Sequence, residues 1–129
     1  MKITSYKELE AYKKGRELVK AIYQITDSFP RNELYGLTSQ IRRCAVSIPS
    51  NIAEGYMRGS KEYLQFLKVS LGSCAELETQ LTLGKDLGFC KEADFNSIYA
   101  LNEEIIKLLK TYITKMTSRE NLILLKRFN

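Results

Sequence analysis

Arg43, Asn51, Glu54 and Glu78 are the residues best placed by type and spacing to do chemistry, with two carboxylates, an amide and a guanidinium between them. Asn51 and Glu54 stand three residues apart, directly after Pro49, in the segment RRCAVSIPSNIAEG from Arg42 to Gly55. Glu78 falls within a stripe of leucines, where a lone carboxylate must find a partner or take up a proton. Paired carboxylates could hold a divalent cation or transfer protons. All-α nucleotide pyrophosphohydrolases use glutamates that way, but through two separated Glu-x-x-Glu or Glu-x-x-Asp groups, and this chain has neither. Holding the bundle or a subunit contact together is therefore the expected task of this polar cluster.

The chain has no histidine, which removes the commonest general base and metal ligand. Ser-His-Asp and Cys-His nucleophiles and Glu-x-x-His di-iron sites go with it. Cys44, Cys74 and Cys90 are too scattered for a disulfide framework or zinc site. The first two lie on apolar helical faces and read as small reduced core residues. No catalytic residue, metal or cofactor is expected. The first fifteen residues, MKITSYKELEAYKKG, lack the apolar core of a signal peptide, and no run suggests a membrane span. A cytoplasmic protein is expected.

These groups must be positioned by helices. The 129 residues contain two prolines and seven glycines, nearly all where helices could turn. The spacing predicts a first helix from about Tyr6 to Thr26, burying Ala11, Tyr12, Leu18, Val19, Ile22 and Ile25. Gly15 lies near the middle of that face, where a missing side chain admits a neighbouring helix. A second helix is predicted from Glu33 to Met57, capped by Asn32 and kinked or divided at Pro49. Arg43, Ser47, Ser50 and Glu54 project almost opposite its apolar stripe. Ser60 caps a third helix to about Leu87, closed by Gly88 and Phe89. A fourth runs from Lys91 to Met116. The expectation is an all-α, antiparallel, up-down-up-down four-helix bundle over residues 1–117. Residues 118–129, with Leu122 to Leu125 and Phe128, form an extension that continues the helix or docks elsewhere.

In an antiparallel hairpin turning near Met57 to Ser60, facing residue numbers total about 118. That register puts Glu78 near Gln40 and within about a turn of Arg43, so an ion pair with Arg43 or Arg42 is expected. Among the eight tyrosines, Tyr12, Tyr63 and Tyr112 coincide with core stripes. Tyr35, Tyr56 and Tyr99 are the candidates for stacking on bases.

Several stretches in order resemble a known family. They are Phe29-Pro30, Glu33-Leu34-Tyr35-Gly36-Leu37, Gln40-Ile41-Arg42-Arg43, SIPSNIAEG from Ser47 to Gly55, and SCAELETQL from Ser73 to Leu81. The resemblance is to the small four-helix proteins of 23S rRNA intervening sequences, over Tyr6 to about Met116. It implies a homopentameric ring. It also brings in a relative, the accessory protein of diversity-generating retroelements, a basic pentameric barrel that associates with nucleic acid and a reverse transcriptase.

The net charge is +5, spread along the chain with no basic tail, and a pentamer would carry about +25. Lys13, Lys20, Arg42, Arg43, Lys107 and Lys110 are the candidate phosphate contacts. The expected function is non-enzymatic binding of nucleic acid, structured RNA foremost. The alternative is a protein-interaction scaffold that recruits a reverse transcriptase or a ribosome-associated partner.

Overall fold

The computed structural model describes residues 3–128; side chains at 120–125, 127 and 128 lie outside the description, as does Asn129. Four helices make up the described chain: α1 (Glu10–Thr26), α2 (Leu37–Arg58), α3 (Ser60–Asp86) and α4 (Glu92–Phe128). Each packs against the helix before and after it, and α4 returns to α1. The cycle closes around one core. Leu18, Ile22, Ile41, Ile48, Ile52, Leu67, Leu77, Leu81, Ile105 and Leu109 are fully buried there, as the 3.6-residue periodicity predicts.

The helix starts differ from expectation. A short 3-10 turn at Tyr6–Glu8 precedes α1, and Ser5 caps it by accepting the Lys7 amide. Asn32 is not the cap of α2, because Arg31–Glu33 is itself a 3-10 turn. The longer reach of Glu33 does that work: its carboxylate accepts the Leu37 N–H at 3.0 Å. Ser60 is likewise the first residue of α3 and not its cap. Gly59 alone separates α2 from α3, at φ 109°, a conformation that favours glycine. At the other end of α3, the expected stop is present. Phe89 N–H bonds to Gly84 C=O at 2.8 Å and Gly88 N–H to Lys85 C=O at 3.0 Å, a Schellman closure with Gly88 at φ 77°. The Phe29 and Phe89 rings meet there at 5.7 Å, joining the α1–α2 and α3–α4 turns.

Pro49 sits inside α2, and the helix stays unbroken from Leu37 to Arg58. The division at Ser47 is not made. Proline cannot donate to the carbonyl four residues back. Three carbonyls around it take side-chain donors. Ser47 Oγ donates to Cys44 C=O at 2.6 Å, Asn51 Nδ2 to Ser47 C=O at 2.7 Å, and Ser70 Oγ to Ile48 C=O at 2.9 Å. The proline ring faces Gly15 of α1. A Cβ built there would lie 3.2 Å from the Pro49 Cβ. The glycine that admits a neighbour and the proline that resists helix interiors thus meet each other.

The bond between Ser70 and Ile48, and the pair Ser47 and Ser73 with hydroxyls 2.8 Å apart, keep the predicted α2–α3 register. Ser47 spends its proton on Cys44 C=O, so Ser73 is the donor to it. Asn102 of α4 crosses the core to donate to Cys74 C=O at 2.9 Å. The last apolar run lies within α4, and its side chains fall outside the described residues.

Candidate nucleic-acid interface

The candidate cations divide among separate surfaces. Lys13 and Lys20 are exposed on α1 and line a groove of about 560 Å3 against α2. Arg16 and Glu17 of α1 share that groove, with Val46, Pro49 and Ser50 of α2. Positions 13, 16 and 20 fall one helical turn apart on a single face, about 10.5 Å from end to end along the axis. Sequence reasoning passed over Arg16, although its spacing from Lys13 and Lys20 was the signal. Lys13 makes a loose ion pair with Glu10 at 3.6 Å; Arg16 and Lys20 make none among the described residues.

Arg42 is committed elsewhere. Its Nε donates to Thr26 Oγ1 at 2.8 Å and its Nη2 to Asp27 Oδ1 at 3.3 Å, and the guanidinium lies 4.7 Å above the Tyr23 ring. The side chain is 23% exposed and fastens the end of α1 to α2. Arg43 points into a different groove, between α2 and α3, with Tyr35, Gln40, Asn51, Ser73 and Glu76 among its walls. Lys107 and Lys110 are exposed on α4 and form no ion pair among the described residues.

The polar cluster predicted from Arg43, Asn51, Glu54 and Glu78 is not assembled. Arg43 and Asn51 do share the α2–α3 groove. Glu54 turns along α2 to Arg58 at 2.6 Å, an exposed pair. Glu78 is half-buried and has no arginine partner among the described residues; it accepts the Tyr99 hydroxyl at 3.1 Å from α4. That bond and its charge raise the pKa of the Tyr99 phenol. The ion pair expected with Arg42 or Arg43 fails because Glu78 meets Tyr99 of α4, whereas Arg42 turns to the end of α1 and Arg43 to the groove lined by Glu76. Glu76 is exposed, lines the groove beside Arg43 and accepts the Gln80 amide at 3.2 Å.

Burial pushes the Cys44 and Cys74 thiols up to about 12, and the charge and hydrogen bonding of Glu76 add to the effect at Cys44. Both are core residues, as expected. Of the three uncommitted tyrosines, Tyr56 packs edge-on against Tyr6 and Tyr63, and Tyr99 is held by Glu78 and Phe95. Tyr35 is 94% exposed.

The model of the family described as 23S rRNA-intervening sequence protein matches residues 7–111. The chain belongs to that family. Another structure with the fold of this family member is a protein of unknown function from the S23 ribosomal protein family of Bacteroides thetaiotaomicron. The two are 24% identical with a TM-score of 0.72, over 81% of this chain and 95% of the other. No curated protein matches the sequence. Among the described residues of this 23S rRNA-intervening sequence protein, no helix is long and apolar enough to cross a membrane.

Proposed function

We propose that this protein is a non-enzymatic, oligomeric, cytoplasmic nucleic-acid-binding protein, with structured RNA as its foremost ligand. The α1 face carries the reading: Lys13, Arg16 and Lys20 form a stripe of cations along one groove, with Glu17 the only carboxylate among its lining residues. Phosphates drawn to such a stripe displace condensed counterions, so affinity falls steeply with salt. A ring of five copies, the assembly implied by the family resemblance, would repeat the stripe around its surface and multiply its field. Lys107 and Lys110 add exposed charge on α4.

Fluorescence-anisotropy titration with a structured RNA and a matched duplex DNA, at low and near-physiological salt, tests this. Binding should weaken with a multi-charge salt slope, and Lys13→Glu/Lys20→Glu should abolish most of it with the oligomer intact. Absence of binding at low salt would refute the reading. A protein-interaction scaffold is the second reading, favoured by Val19, Val46 and Pro49 among the same lining residues. It predicts a co-purifying protein in place of RNA.

A further inference from the structure

We infer that the groove between α2 and α3 is a pocket for an unpaired nucleobase, distinct from the α1 stripe that meets the backbone. This rests on the nucleic-acid reading above. Two observations carry it: the exposure of Tyr35 and the mixed polarity of the wall beside it.

A tyrosine ring is a large apolar surface, and leaving one 94% exposed yields no packing within the chain. The other uncommitted rings are used internally, against Tyr6 and Tyr63 or against Phe95 and Glu78. Tyr23, the other markedly exposed tyrosine, has Arg42 over its ring. Tyr35 therefore offers the free stacking platform. Its position before α2 puts it on the wall of a groove of about 570 Å3 that also contains Arg43.

The chemistry of that groove suits a base edge better than a phosphate. Gln40 brings an amide and Arg43 a donor fork, while Glu76 brings a carboxylate. Asn51 commits one amide N–H to Ser47 C=O, and its side-chain oxygen adds an acceptor. A carboxylate repels phosphate, yet it accepts hydrogen bonds from the exocyclic amino groups of bases. Donors, acceptors and an aromatic ring together are what an unpaired base requires, and a base paired and stacked inside a helix has both its edge and its faces occupied. The α1 groove has cations and aliphatic side chains but no aromatic residue among its lining residues, and so offers a base no aromatic platform.

The test is anisotropy titration of the full chain with two RNAs sharing one stem, a hairpin with an unpaired purine loop and a blunt duplex. Tyr35→Ala should weaken hairpin binding by about 5- to 100-fold, leave duplex binding unchanged and keep the mass measured by light scattering. Tyr35→Phe, which keeps the ring, should bind like the native protein. Unaltered hairpin affinity in Tyr35→Ala, with both RNAs lost on Lys13→Glu/Lys20→Glu, overturns the base pocket and leaves backbone binding standing. A change of mass in Tyr35→Ala also overturns it, since the face would then be a contact between copies. If the native protein binds neither RNA, the underlying reading fails and the pocket with it.

Discussion

Arg42 and Arg43 are neighbours in the chain and face different sides of α2. Arg42 is bound to Thr26, Asp27 and Tyr23, so Arg42→Ala should cost about 1–2 kcal/mol in chemical denaturation. Arg43→Ala should stay within about 0.5 kcal/mol, because Arg43 is exposed with no ion pair among the described residues. The residue types that bear charge were legible from sequence, but the flank each would occupy was not. Periodicity fixes an angle around one helix and is silent on which neighbour covers it, which is why Glu78 met Tyr99 and no arginine. The cysteines were legible, because a small apolar residue in a stripe has one natural place. The Cys44 and Cys74 thiols are pushed up to about 12 against an ordinary 9.0, and the Tyr63 phenol, raised chiefly by burial, to about 12 against 10.0. The folded chain thus keeps protons that the unfolded chain releases. That stabilisation is complete below about pH 9 and is lost as pH rises toward 12. The melting temperature followed by circular dichroism should therefore fall progressively above pH 9, and Cys44 and Cys74 should resist alkylation at pH 8 until the protein is denatured.

Among the elements, α2 and α3 show how the same residue type can carry opposite consequences. A Cβ at Gly55 would drive into the Phe66 side chain and touch the Tyr63 backbone, whereas one at Gly72 meets nothing within 4 Å. Gly55→Ala should destabilise the protein by about 1–3 kcal/mol despite the better helix propensity of alanine. Gly72→Ala should stabilise it by about 0.5–1 kcal/mol, both read by thermal or denaturant melts. All four helices were legible, and so was the stop at Gly88, since their stripes are long and the glycine signal is local. The starts were not. Asn32 and Ser60 have the composition of caps, but a 3-10 turn at Arg31–Glu33 and the single-residue link at Gly59 displaced both. Pro49 was legible as a special position. Its neighbour Gly15 explains it: a ring seated where the facing helix has no side chain.

For the whole molecule, the charge of +5 matters through its distribution, because Lys13, Arg16 and Lys20 gather on one groove while Arg42 and Lys14 are bound to carboxylates. Neutralising Lys13 and Lys20 together should lower the slope of log affinity against log salt by about two. The closed order of packing has a further bearing, on how the chain finds its fold. Three of its four seams join helices adjacent in sequence, and one residue links α2 to α3. Only the α1–α4 seam asks the ends of the bundle to meet across the intervening chain, and it carries the Lys14–Glu104 contact at 2.9 Å. Local contacts form at small entropic cost and distant ones at greater cost. The α2–α3 hairpin should accordingly be the folding nucleus, with the α1–α4 seam closing last. In stopped-flow chevrons, substitutions at buried Leu67 or Ile52 should slow folding, and those at Lys14 or Glu104 should speed unfolding alone.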